Sequence, residues 1–171
     1  MSEAHADLRP AYMGYTYSHA SIMHNVLAEV PQVNRIVQVG VRDYCEEEFN
    51  LMGTERVRTF RDVEIQENKM RCIPWTRMVG EILSVLGESV YVSFDIDGLD
   101  PSLCPHTGTP VPGGLSFDEA AYLLHDLVTT GRNIVGFDLV EVNGGREWDA
   151  IMGSRVLYKL CCAAIAARGG R

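Results

Sequence analysis

The sequence predicts a single α/β domain in which a parallel sheet is covered by helices, a three-layer α/β/α arrangement. Three observations carry this. Apolar runs of strand length alternate with amphipathic segments along the whole chain. At 171 residues and 46% hydrophobic composition, the chain can bury a core of its own. No linker, internal repeat or low-complexity tract divides it, so residues 1–171 read as one domain.

The elements follow in order. The first helix comes after Ser18 and carries Ile22, Met23, Val26 and Leu27 at helical spacing. Residues 35–41, RIVQVGV, form the first strand, rich in the branched side chains that suit a buried sheet. The acidic segment 46–51 is a short helix, residues 57–63 a weaker strand, and residues 75–86 a helix. Residues 89–96 form the next strand. Ser116 and Glu119 make an S-x-x-E capping box, Phe117, Ala120, Leu124, Leu127 and Val128 the stripe behind it, and Gly131 the stop. A strand over 134–142 and a helix over 149–167, burying Ile151, Met152, Val156, Leu157, Leu160 and Ile165, complete the chain.

Charge narrows the partners. Fifteen basic against twenty-three acidic residues give a net charge of −8, with no run of Lys or Arg, which argues against nucleic acid or an anionic membrane and for cations. The five cysteines, Cys45, Cys72, Cys104, Cys161 and Cys162, show no C-x-x-C spacing and read as reduced thiols. With no stretch of about eighteen apolar residues and no apolar core in MSEAHADLRP, the expectation is a soluble cytoplasmic protein.

Two clusters carry chemistry. In FDIDGLDP, residues 94–101, Asp95 and Asp97 stand two apart on a predicted strand, so their side chains share a face with Cα atoms about 6.6 Å apart. Two such carboxylates either bracket a cation or repel until one takes up a proton; alone they could equally be a polar turn. In EAHADLR, Glu3, His5 and Asp7 alternate, which on an extended segment aligns two carboxylates and an imidazole. Imidazole with carboxylates suits Mn, Fe, Zn or Ni better than Ca or Mg; alone this could be a solvated terminus. After the first cluster comes a loop holding Pro101, Pro105, Pro110, Pro112, Gly108, Gly113 and Gly114. It starts at the carboxyl end of a strand, where open parallel sheets bind ligands.

These stretches resemble a known family. SFDIDGLDPSLCPHTGTPVPGG, EAHADLR and GFDLVEVNGG resemble the signatures of the ureohydrolases, the arginase and agmatinase family. The resemblance implies an arginase-like fold and a binuclear Mn²⁺ centre. Its ligands would be His5, Asp7, Asp95 and Asp97, with Asp95 bridging and Glu3 in the place of a second bridging aspartate. A hydroxide held between the ions would attack a guanidinium carbon and release urea and an amine. Glu141 would hold the guanidinium, Thr109 would shape the pocket, and His19 would carry protons to the leaving amine. Arg9 stands where arginases have an asparagine for the substrate carboxylate, and YSHAS is more like agmatinases, so the implied substrate is agmatine-like.

The family's Gly-Gly-Asp-His-type motif has no counterpart, because only Met1 and Ser2 precede Glu3. The resemblance is therefore to the carboxyl-terminal half to two-thirds of a ureohydrolase, lacking its amino-terminal strands. The isolated chain is expected to be impaired, and the alternative is an inactive subunit that associates with full-length homologues, where the active reading implies a homo-oligomer. His24, His106 and His125 are expected to be structural or exposed. FDIDG also resembles the DxDG motif of haloacid-dehalogenase-type phosphatases, a remote alternative in which Asp95 would accept a phosphoryl group.

Overall fold

Parallel strands need crossover segments, and here helices supply them. The computed structural model describes residues 2–169. β1 (Ile36–Val41) runs parallel to β2 (Val57–Arg61), and β3 (Ser89–Asp95) runs parallel to β4 (Asn133–Val140). The helices are α1 (Ile22–Glu29), α2 (Glu46–Leu51), α3 (Asp62–Met70), α4 (Trp75–Ser84), α5 (Phe117–Thr129) and α6 (Glu147–Gly169).

β1 is buried along its whole length because it separates two cores. Ile36 and Val41 pack with Met23 and Leu8 in the smaller one, while Val37 and Val39 join Ile82, Phe94, Leu124 and Leu160 in the larger. Alternation of side chains across a strand sets Ile36 opposite Val37 and Val39, and the register irregularity between Val39 and Val41 turns Val41 to the Ile36 side. Among the described residues the strands form two hydrogen-bonded pairs, β1 with β2 and β3 with β4. Ser2 spans them, forming parallel bridges to Val39 and Phe94. Its N–H donates to the Ser93 carbonyl (3.2 Å) and its carbonyl accepts from the Asp95 N–H (2.9 Å).

Several expectations change. The second strand ends at Arg61, and residues 62 and 63 open α3, which periodicity does not reveal because Ile65 is the only apolar side chain that helix buries. Its start is fixed locally: the Glu64 carboxylate accepts from the Arg61 N–H (3.2 Å) and its guanidinium (2.7 Å). β3 stops at Asp95, and Ile96–Gly98 form a 3-10 turn. Ile151, Leu157 and Ile165 on α6 are exposed (43%, 44% and 71%), because the helix presents Met152, Val156, Leu160 and Ala163 to the core instead. Contrary to the sequence reading, α6 is apolar and long enough to pass for a membrane span, with mean hydropathy 1.4 over an eighteen-residue window. Its buried stripe packs on β4 and α5. The capping box of α5 forms as expected, Ser116 Oγ accepting from the Glu119 N–H at 3.2 Å.

Candidate metal centre

The amino-terminal segment and the β3 end meet at the carboxyl edge of the strands. Residues 3–8 alternate as predicted: Ala4, Ala6 and Leu8 are buried on one side, and Glu3, His5 and Asp7 point to the other, into a cavity of about 550 Å³. The run is not extended throughout, because Asp7 has φ +54°. That bend lets the Asp7 carbonyl accept the N–H groups of Met23 (3.0 Å) and His24 (3.3 Å), pinning the segment to the first turn of α1.

Glu3, His5 and Asp97 bring ligand atoms within 4.8 Å of one another. His5 Nδ1 lies 3.0 Å from Asp97 Oδ2 and 3.4 Å from Glu3 Oε1. The Ala4 N–H donates to Asp97 Oδ1 at 3.1 Å, and the Asp97 N–H donates to Asp95 Oδ1 at 2.9 Å. Asp95 and Asp97 therefore do not share a strand face, as the sequence suggested; the 3-10 turn swings Asp97 toward His5 and leaves Asp95 at the strand end. Gly98 makes this approach possible, since a Cβ there would stand 2.6 Å from the Glu3 nitrogen.

Burial sets the electrostatics. It pushes the Glu3 carboxyl up to about 8 and the Asp95 carboxyl up to about 10, each aided by the neighbouring carboxylates. Burial likewise raises Asp7 to about 7. Asp97 moves the other way: burial opposes its charge, but hydrogen bonds from His5, Glu3 and the Ala4 N–H hold its carboxyl below the usual range. His5 is raised to about 10 by Asp97 first and Glu3 second. Four carboxyls and one imidazole crowd together, and only protons or a cation can compensate their charge. That donor set, oxygen-rich with one nitrogen, fits a divalent first-row metal such as Mn²⁺.

All eight predicted residues, Glu3, His5, Asp7, His19, Asp95, Asp97, Thr109 and Glu141, line this one cavity. His19 is at the rim, edge-on to the Tyr12 ring at 5.4 Å. Glu141 has φ +60°, just beyond β4. Thr107 Oγ1 donates to its carbonyl (2.9 Å), and a Cβ on Gly108 would stand 2.8 Å from its Oε2. The sequence reading missed Thr107, and also Arg42. The Arg42 guanidinium donates to the carbonyls of Asp97 (2.8 Å), Leu99 (3.2 Å), Val111 (2.8 Å) and Gly40 (3.1 Å), tying the loop to the end of β1. Buried Glu48 is a third: it accepts from the Leu8 N–H (2.9 Å) and from Arg9 Nε (3.3 Å). His106, as expected, is structural: its N–H and Nδ1 meet the buried Asp149 carboxylate at 2.9 and 3.1 Å.

The fold and cavity define an α/β protein with a carboxylate and imidazole cluster, spaced as metal ligands could be, at the carboxyl edge of its parallel strands. The chain belongs to the arginase family, whose sequence model matches residues 2–165. It is 38% identical over 151 residues to the N(1)-aminopropylagmatine ureohydrolase of Thermus thermophilus, covering 88% of this chain and 47% of that protein. It is 32% identical to the guanidinobutyrase of Pseudomonas aeruginosa, covering 94% and 50%. Among solved structures it superposes on the agmatine ureohydrolase of Thermoplasma volcanium with a TM-score of 0.77 and 30% identity, covering 98% of this chain and 53% of that one. A hypothetical agmatinase from Burkholderia thailandensis gives a TM-score of 0.79 at 27% identity, covering 99% and 51%. The chain thus spans about half the length of the relatives it matches. The family match leaves the phosphatase alternative without support.

Proposed function

We propose that the cavity serves metal-dependent hydrolysis of an agmatine-like guanidino compound to urea and an amine. The observation that supports this is that Glu141 faces the same cavity as the Glu3, His5 and Asp97 cluster. In this reading Glu3, His5, Asp7, Asp95 and Asp97 hold two Mn²⁺ ions. When bound, the metal supplies the Lewis acidity that makes water nucleophilic near neutral pH. Glu141 accepts paired N–H bonds from the guanidinium and fixes its carbon in the cavity, with Thr109 shaping the wall beside it. Asp7 takes the proton that water loses as its oxygen bonds to that carbon. The C–N bond to the amine then breaks, and His19 at the rim gives the departing nitrogen its proton.

The names of the relatives support a guanidino substrate, and Arg9 supports one without an α-carboxylate. Arg9 is already engaged by Glu48 (3.3 Å) and lies over the Tyr12 ring at 5.4 Å. The unpaired cysteines, with the buried Cys104 thiol pushed up to about 12, fit a cytoplasmic protein. A second reading, an inactive subunit that joins a full-length homologue, is favoured by the single imidazole, His5, in the cluster. The deciding experiment fuses the chain to the amino-terminal segment of an agmatinase-like homologue and measures urea release with Mn²⁺. Release from agmatine is expected. A fused protein that binds Mn²⁺ and releases no urea from agmatine, N(1)-aminopropylagmatine or guanidinobutyrate would overturn the proposal.

A further inference from the structure

Glu141 holds a left-handed backbone, φ +60°, without a glycine's freedom to do so, and such a conformation persists only where neighbours enforce it. Two neighbours come from one loop. Thr107 Oγ1 donates to the Glu141 carbonyl at 2.9 Å, and the Glu141 carboxylate lies so close over Gly108 that a Cβ there would stand 2.8 Å from Oε2. The loop itself, residues 100–114, contains no helix or strand. Glu141 is therefore held no more firmly than this loop is.

His106, the residue before Thr107, supplies the anchor. Its N–H donates to Asp149 Oδ2 at 2.9 Å, and its Nδ1 lies 3.1 Å from Asp149 Oδ1. Asp149 stands in the first turn of α6 with its side chain fully buried. A carboxylate accepts, so Nδ1 is assigned the ring proton. From the connection between β4 and α6, Asn143 Nδ2 donates to the His106 carbonyl at 3.1 Å and closes the clamp. Residues 106, 107 and 108 thus each meet the segment 141–149.

The backbone alone would leave this anchor half made. Any residue but proline brings the N–H, whereas Asp149 Oδ1 has no hydrogen-bond partner among the described residues except Nδ1. Without that donor a buried carboxylate oxygen is left unpaired, a cost relieved when the carboxylate turns toward water and the loop shifts with it. The ring is 45% exposed and lines no part of the cavity, so its only route to the site is through Glu141.

We propose that His106 is a positioning residue for Glu141. Through the buried Asp149 it fixes Thr107 and Gly108 against Glu141, and so sets where that carboxylate stands in the cavity. Its consequence for substrate rests on the reading of Glu141 as the guanidinium acceptor; its hold on Glu141 does not.

The first test is hydrogen exchange on the full chain, read by mass spectrometry. His106→Phe keeps a ring and removes the donor, while His106→Asn keeps an N–H at the place of Nδ1. In His106→Phe, peptides covering 104–110 and 141–150 should exchange about tenfold faster or more while those of β1 and α4 keep their rates, and His106→Asn should restore the parental pattern. The second test uses the fused enzyme. There His106→Phe should raise KM for agmatine about tenfold with kcat within about threefold of the parent, at unchanged manganese content, and His106→Asn should bring KM back. Parental exchange in His106→Phe overturns the proposal, as does faster exchange in every peptide, which marks general destabilisation, or a His106→Asn that behaves like His106→Phe. An unchanged KM in a His106→Phe enzyme whose loop has opened overturns it too. If the fused parent releases no urea, the guanidino reading fails by itself, and the exchange pattern alone decides whether His106 positions Glu141.

Discussion

His5 Nδ1 sits 3.0 Å from Asp97 Oδ2, joining the amino-terminal segment to the turn after β3. The pair is held from both sides, by the Ala4 N–H on Asp97 and the Glu3 carboxylate on His5. Mn²⁺ should raise the thermal midpoint of the chain, since a ligand bound only by the native state at a hundred times its Kd contributes about 2.7 kcal/mol. In the Asp95→Asn, Asp97→Asn double variant that gain should vanish, as read by differential scanning fluorimetry with and without the metal.

Glu141 is expected to recognise substrate without binding metal. In an active fused enzyme, Glu141→Gln should lower kcat/KM for agmatine by roughly a hundredfold or more, about 2.7 kcal/mol of lost transition-state binding, while manganese content stays at the parental level. Loss of half the metal by elemental analysis would make Glu141 a ligand.

The closeness of Gly98 to the amino-terminal segment is directly testable. Gly98→Ala forces a Cβ to within 2.6 Å of the Glu3 nitrogen, against backbone that cannot swing aside. A destabilisation of about 1–3 kcal/mol is expected from chemical denaturation, together with weaker Mn²⁺ binding.

Lys69 reaches Glu119 at 2.7 Å, linking α3 to the cap of α5. Burial opposes the Glu119 charge, but hydrogen bonds from Lys69 and Ser116 outweigh it and hold the carboxyl below its usual range. A depressed folded-state pKa contributes stability above the unfolded value and loses it as pH falls through the folded one. Glu119→Gln should therefore cost about 1–2 kcal/mol at pH 7, and the difference from the parent should shrink below about pH 4, measured by urea melts across pH.

The two faces of α6 should respond oppositely. Leu160→Ala should cost about 2–5 kcal/mol, whereas Ile165→Ser, at a residue 71% exposed, should stay within about 0.5 kcal/mol.

Particular elements show what the sequence carries. The four strands and the capping box of α5 are legible because they write apolar runs and cap residues directly into the chain. The α2 bounds are legible too, through an acidic first turn. α3 is not, because its start depends on Glu64 folding back on Arg61 and its contact with the core on Ile65 alone. The buried stripe of α6 is ambiguous because apolar residues occupy more than one side, and only Gly153 against Val142 and the packing on β4 choose among them. Within the site, the alternation of Glu3, His5 and Asp7 reads correctly, but the left-handed turn at Asp7 and the swing of Asp97 arise from contacts with distant segments. Thr107 and Arg42 escape for another reason. Both act on backbone carbonyls, which every residue has, so no partner side chain marks them.

Arg42 carries a dynamic consequence. Its guanidinium binds carbonyls at both ends of the loop that follows the 3-10 turn, including those of Leu99 and Val111, and also that of Gly40 on β1. A long surface segment would ordinarily open on its own, at little free-energy cost, and exchange its amide hydrogens quickly. Here the turn bearing Asp97 and the segment bearing Thr107 and Thr109 are tethered to a fully buried strand, so their protected amides should exchange on the slow timescale of β1, and Arg42→Lys, without the planar fork, should release them together.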